Sequence, residues 1–272
     1  MRKKIEKILI FVVTAMVVAS VHFYTVLYAP ASNDMTPKLV NVAQGASFGV
    51  VADNLVSQGV LKSTEGFVLA ASLKNAKKKI KAGEYELNAS MTPVEVLNIL
   101  VQGKVKRYLV TIPEGYNIKE IATTIENAGL AKKEEFLKLA FDKNFAKSLG
   151  FEGFEGYLFP DTYQFTKTAG PEEIIRKMAG RFKQVYDAEF RAKSEGKGLE
   201  MKELVTLASI IEKESGNAFE MPRVSAVFRN RLKKRMPLQS DPTVIYGIKD
   251  FDGNLTRAHL RQPTPYNTYV KF

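Results

Sequence analysis

The 272-residue sequence contains no cysteine, which excludes a disulfide scaffold, a thiol nucleophile and any zinc site built on thiolates. Histidine is almost as scarce, with only His22 and His259. His22 lies in an apolar N-terminal run, so neither a His-rich metal site nor a Ser-His-Asp triad is expected. Glycine (18) and proline (11) are too few for a collagen-like chain, and 25% charged residues do not describe a disordered one. What the chain does have is 45% apolar residues, enough for about two domains of ordinary size. Lys and Arg outnumber Asp and Glu by 40 to 29, a formal charge of +11 that suits anionic surroundings. Chemistry in such a chain rests on carboxylates and hydroxyls, and no metal or cofactor is expected.

Arg2, Lys3, Lys4 and Lys7 precede an apolar run from Ile8 to Ala29, whose length matches the roughly 20 residues that cross a bilayer. The positive-inside rule then puts the N-terminus in the cytoplasm and the bulk of the chain outside. A cleaved signal peptide competes, because Ala29-Pro30-Ala31 has the small-x-small form of a cleavage site. The length of the run and the aromatic Phe23, Tyr24 and Tyr28 at its outer end favour an uncleaved anchor. An exported chain without cysteine fits a bacterial envelope. It also makes nucleic acid a poor partner, so the basic charge suits anionic lipid headgroups better. Ala31 to Lys38 reads as a linker.

The chain repeats itself at an offset of 70 residues. Leu39-Val40-x-Val42-x-x-Gly45 matches Leu109-Val110-x-Ile112-x-x-Gly115, continuing through Val51/Ile121, Ala52/Ala122, Leu55/Ile125, Gly59/Gly129 and Val60/Leu130. Alternation into a Gly turn, followed by helical spacing, predicts strand, turn and helix. A second block recurs at an offset of 78: Tyr85/Tyr163, Leu87/Phe165, Pro93/Pro171 and Glu95/Glu173. It predicts a short strand and a helix with Pro in its first turn. The change of offset puts eight extra residues in the second copy, around Phe151 to Pro160. Glu155, Tyr157, Phe159 and Asp161 are therefore candidates for lining a site, although aromatics there could equally fill a gap. As small extracytoplasmic strand–helix units, the two copies loosely resemble LysM glycan-binding modules.

From Leu199 to Ser215 the spacing predicts a helix with Met201, Leu204, Ala208 and Ile211 on one face, flanked by Val205 and Leu207. Two carboxylates close it, Glu212 inside the apolar arc and Glu214 at its edge. An apolar setting and a helix C-terminus both favour the protonated acid, the form a general acid needs. Periodicity favours Glu212 for burial, and access for substrate favours Glu214. Either could simply pair with Arg223, Arg229 or Arg231. A second amphipathic helix over Val224 to Leu232 follows, then loops rich in polar and turn residues.

Five ordered motifs carry a family resemblance: Glu155-Gly-Tyr-Leu-Phe-Pro-Asp-Thr-Tyr163, Leu207-Ala-Ser-Ile-Ile-Glu-Lys-Glu-Ser215, Val227-Phe-Arg-Asn-Arg-Leu232, Leu238-Gln-Ser-Asp-Pro-Thr-Val-Ile-Tyr246 and Tyr266-Asn-Thr-Tyr269. In these the chain resembles the endolytic murein transglycosylase family, the MltG or YceG-like proteins. The resemblance implies an α+β chain with an N-terminal transmembrane helix, duplicated LysM-like strand–helix modules and a helix-rich catalytic domain. The corresponding segments are residues 1–30, cytoplasmic tip and anchor; 31–38, linker; 39–108, first module; 109–198, second copy with the insertion; and 199–272, catalytic region. It implies Glu214 as the catalytic acid, with Glu155, Tyr157, Gln239, Asp241, Tyr246, Tyr266 and Asn267 as substrate-binding residues and no metal. Implied partners are peptidoglycan glycan strands, the lipid bilayer and peptidoglycan synthases (penicillin-binding proteins). The implied location is the bacterial cytoplasmic membrane, single-pass, with the catalytic region extracytoplasmic. The implied reaction breaks the bond between N-acetylmuramic acid and N-acetylglucosamine, leaving 1,6-anhydro ends and helping to terminate strand elongation. The family pattern runs on past Tyr269 into a Gly-Leu-Pro-Pro-Gly loop that Val270-Lys-Phe272 does not match, which implies an incomplete catalytic region. The alternative is a non-catalytic peptidoglycan-binding scaffold protein of the cell-wall synthesis machinery.

Overall fold

The computed structural model describes residues 2–270; Lys271 and Phe272, where the catalytic region is expected to end, lie outside the described residues. Helices and small sheets are mixed along the chain, and compactness divides it into two units, Met1–Leu109 with Gln164–Ala169 and Val110–Tyr163 with Gly170–Phe272.

The first unit begins with α1 (Arg2–Tyr28), in which Lys4–Tyr28 is long and apolar enough to cross a membrane. From Lys4 its side chains are exposed until the last turn, where Leu27 joins the core of the unit. The approach is possible because position 66 has no side chain: a Cβ there would lie 2.1 Å from the Val26 carbonyl oxygen. Beyond α1 come β1 (Lys38–Val42), α2 (Phe48–Ser57), α3 (Thr64–Leu73), β2 (Gly83–Leu87) and α4 (Pro93–Gln102). β1 and β2 pair antiparallel, Lys38 opposite Leu87 and Val42 opposite Gly83. Alternation turns Val40, Val42, Tyr85 and Leu87 inward. Phe67, Leu55, Val96, Leu97 and Leu100 complete a core against the helices.

The strands β3 (Tyr108–Thr111) and β4 (Thr162–Phe165) pair in a second small sheet. Within the second unit follow α5 (Ile118–Asn127), α6 (Lys133–Ala140), α7 (Lys143–Ser148), α8 (Pro171–Val185), α9 (Ala188–Glu195), α10 (Met201–Glu214), α11 (Met221–Lys233), α12 (Asp241–Tyr246) and α13 (Arg257–Arg261).

Residues 70 apart occupy like places. Gly45 and Gly115 turn the chain with φ of 77° and 74°, a region that favours glycine. Ser47 and Asn117 then cap α2 and α5 through their side chains. The residue pairs Val51/Ile121, Ala52/Ala122, Leu55/Ile125 and Val60/Leu130 are all buried. At the offset of 78, Tyr85 and Tyr163 are buried and each donates its hydroxyl to the carbonyl four residues before it, Lys81 and Phe159, at 2.6 and 2.5 Å.

Candidate active site

The α10 helix is the element that positions a carboxylate. Its fixed side differs from the apolar arc in the pattern: Leu207 and Ser215 are buried, Leu204 and Ile211 are half-buried, and Ala208 faces solvent. Packing against α9, α11 and α12 selects this side, and the pattern alone does not contain those neighbours. Glu214 is the last residue of α10 and is exposed; Glu212 is half-buried. The Glu212 Cγ lies 3.4 Å from where a Cβ on Gly115 would stand, so Glu212 rests against the turn leading into α5. Among the described residues, neither glutamate forms an ion pair with an arginine.

The loops after α11 and α13 close on Glu214. Ser240, which is 1% exposed, donates its hydroxyl to Glu214 Oε2 at 2.9 Å. The Ser240 N–H donates to Thr268 Oγ1 at 3.0 Å, and the Ser240 carbonyl accepts from Thr243 Oγ1 at 2.6 Å. Gln239 N–H donates to the Thr268 carbonyl at 3.2 Å. Thr243 and Thr268 share a hydroxyl contact of 2.9 Å. Tyr269 donates to Asp241 Oδ1 at 2.7 Å. That bond, with burial and the negative charges of Asp241 and Glu214, pushes the Tyr269 phenol up to about 12, so it stays a donor throughout the neutral range. Arg231 braces the same loop by donating to the Leu238 carbonyl at 2.5 Å.

The expected substrate-binding residues separate into groups. Asp241 belongs to the Glu214 cluster. Gln239 is exposed beside it in a left-handed conformation, φ 51°, a strain that a non-glycine residue carries at a cost. Tyr246 ends α12, about 8 Å along the helix from Asp241, and meets the exposed Tyr266 edge-on at 4.8 Å between ring centres. Glu155 stands beside this pair and accepts from the Ile118 N–H at 3.3 Å; burial, and then the Glu155 charge, pushes the Tyr246 phenol up. Burial raises the Glu155 carboxyl above the usual range, partly opposed by the hydrogen bond from Ile118 N–H. The other two lie elsewhere. Tyr157 packs edge-on against Phe182 at 5.1 Å and beside Phe151 at 5.2 Å, in an aromatic cluster that also takes in Phe154 and Tyr186. Asn267 has no exposed surface; its amide donates to the carbonyls of Gln262 and Leu260 at 2.8 and 3.1 Å, and its oxygen accepts from Tyr269 N–H at 2.9 Å. Of the remaining insertion residues, Asp161 pairs with Arg181 at 2.8 Å, and that guanidinium lies over Phe159.

Ser240, Thr243, Thr268 and Tyr269 are the members that pattern reading passed over. All four lie inside the quoted motifs, and the only available signal was the density of hydroxyls there. Among the described residues no group of three or more His, Asp or Glu could hold a metal ion.

An exposed carboxyl at a helix end, gripped by a buried hydroxyl, is the equipment of an acid–base site for a polar substrate. The chain belongs to the YceG-like family, whose model matches residues 40–272. It is 29% identical over 265 residues to the endolytic murein transglycosylase of Bacillus subtilis (strain 168), across 89% of this chain and 72% of that protein. The endolytic murein transglycosylase of Streptococcus pneumoniae serotype 2 (strain D39 / NCTC 7466) is 29% identical over 263 residues, and the chain spans about half (47%) of its length. The crystal structure of a YceG-like protein from Listeria monocytogenes superposes with a TM-score of 0.55 at 29% identity, covering 86% of this chain and 82% of that one.

Proposed function

We propose that this chain is a membrane-anchored lytic transglycosylase acting on peptidoglycan glycan strands, with Glu214 as its acid and base. The observation that carries the reading is the Glu214 carboxyl, exposed to substrate and held from below by Ser240. Protonated Glu214 gives its proton to the oxygen linking N-acetylmuramic acid to N-acetylglucosamine, and the bond from that oxygen to the muramoyl anomeric carbon breaks. The neighbouring N-acetyl group relieves the positive charge that develops. The Glu214 carboxylate then takes the proton of the muramoyl 6-hydroxyl, whose oxygen closes the 1,6-anhydro ring. Protons balance and no water is consumed, so the second carboxylate of ordinary glycosidases is not required.

In the same reading, α1 anchors the chain in the cytoplasmic membrane with its N-terminus inside. The duplicated strand–helix units act as LysM-like glycan holders, and the Tyr246–Tyr266 pair offers a stacking platform for sugar rings. Cleavage beside peptidoglycan synthases would help to terminate strands. A second reading, hydrolysis, is favoured by one observation: Asp241 stands next to Ser240 and shares Tyr269 with the acid's surroundings, so it could serve as base for a water.

Mass spectrometry of products from uncrosslinked glycan strands, incubated with the full chain in detergent, separates these outcomes. Ends of 1,6-anhydromuramic acid that vanish with Glu214→Gln, a loss of at least about 100-fold, are expected while glycan binding persists. Reducing ends would replace the proposal with hydrolysis. An active Glu214→Gln would remove Glu214 from the chemistry.

A further inference from the structure

The structure assigns to Ser240 the positioning of the acid: its hydroxyl fixes one oxygen of Glu214 and leaves the other to carry the transferable proton. This rests on the proposed role of Glu214 and goes beyond it, because Ser240 touches the acid and not the sugar.

Ser240 is the N-cap residue of α12, where a serine oxygen ordinarily accepts from the backbone N–H of the second or third helical residue. Here the side chain makes no such capping bond. The second helical residue is Pro242, which has no N–H, and the third, Thr243, donates its N–H to the Ser240 carbonyl at 3.2 Å. The helix start is therefore satisfied without the hydroxyl, which turns instead to Glu214 Oε2 at 2.9 Å.

Its placement is fixed from both ends. The Ser240 N–H and carbonyl are held by Thr268 and Thr243, and the strained backbone of Gln239 aims the residue inward. At 1% exposure the hydroxyl has little access to solvent. Among the described residues Glu214 Oε1 has no hydrogen-bond partner, and Glu214 is exposed, which leaves Oε1 to carry and release the proton.

The consequence is kinetic. When Oε1 gives its proton to the glycosidic oxygen, negative charge develops across the carboxylate, and the bond from Ser240 becomes charge-assisted and stronger. A donor that gains strength as the reaction proceeds stabilises the transition state more than the ground state. It also holds the carboxyl in one orientation while the sugar binds.

The test is steady-state cleavage of glycan strands by the full chain and its Ser240→Ala, Ser240→Cys and Ser240→Thr variants, with thermal unfolding as a check on folding. Losing a hydrogen bond to a charging group should lower kcat about 10- to 100-fold in Ala with KM unchanged. Cys, of similar shape and a weak donor, should behave like Ala. Thr, which keeps the hydroxyl, should restore most of kcat. In a Glu214→Gln background, Ser240→Ala should cost nothing further. The inference is overturned if Ala and Cys keep kcat within about threefold of the parent, or if they raise KM instead. It is also overturned if a folded Thr variant is as slow as Ala; should Thr unfold, the kcat of Ala and Cys against the parent decides. Activity that survives Glu214→Gln would instead remove the reading on which it rests, so the two failures are told apart.

Discussion

Asn267→Ala asks whether Asn267 of the Tyr-Asn-Thr-Tyr motif holds the substrate or the protein. Its amide nitrogen bonds two carbonyls at 2.8 and 3.1 Å, its oxygen accepts from Tyr269 N–H at 2.9 Å, and no part of it is exposed. Three well-formed buried bonds at about 1 kcal/mol each give a loss of about 3 kcal/mol, before any penalty for carbonyls left without a donor. With a urea dependence of about 1–3 kcal/mol per molar, the midpoint should fall by about 1–3 M. The chain has 11 tyrosines and no tryptophan, so near-ultraviolet circular dichroism of tyrosine is the suitable probe. Cleavage should fall as well, because loosening residues 267–269 releases Thr268 from Ser240. A variant that keeps its urea midpoint but binds glycan more weakly would refute this reasoning and make Asn267 a ligand group.

Two further outcomes follow from packing and charge. Gly66→Ala puts a Cβ 2.1 Å from the Val26 carbonyl oxygen; it should cost about 1–3 kcal/mol and raise amide exchange around Leu27, and unchanged exchange would refute the close docking of α1. Burial holds the Glu155 carboxyl above its ordinary range, so the folded state binds that proton more tightly than the unfolded chain does. Its stabilising contribution is therefore full below the unfolded value and lost as pH rises through the folded one. Stability measured across the acid range should decline less steeply in Glu155→Gln, and parallel curves would contradict the assigned cause.

Much of the fold was legible because its signals are local. Length and apolar content mark α1, alternation into a glycine marks the turns at Gly45 and Gly115, and the 3.6-residue period finds α10 with Glu214 at its end. The Tyr85 and Tyr163 positions emerge from self-comparison, since a tyrosine bonded to a carbonyl four residues back is a local device. Burial was less legible. Periodicity puts Ala208 inside, but the structure buries Leu207, because which side of a helix is covered depends on where its neighbours lie. Nothing within α10 specifies the approach of α12. Spacing leaves the insertion open between lining a site and filling a gap; the structure sets Glu155 by Ile118 and Tyr246 and turns Tyr157 into an aromatic cluster. Neighbouring residues on a tight turn point apart, and Gly156 between them, at φ 81°, makes that divergence sharper.

The tetrapeptide Ser240-Asp-Pro-Thr243 shows where such reading stops. By local rules it is a complete helix start: a serine cap, an acidic residue in the first turn and an early proline. The structure does contain that helix, yet the hydroxyl points to a carboxylate 26 positions earlier in the chain. The proline explains both facts. It favours the helix start through its fixed φ, and by lacking an N–H it removes a partner that the serine would otherwise serve. The same local chemistry that begins α12 thus releases a hydroxyl for use at a distance. Whether that hydroxyl meets an acid depends on the tertiary approach of α10, which no window of neighbouring residues encodes.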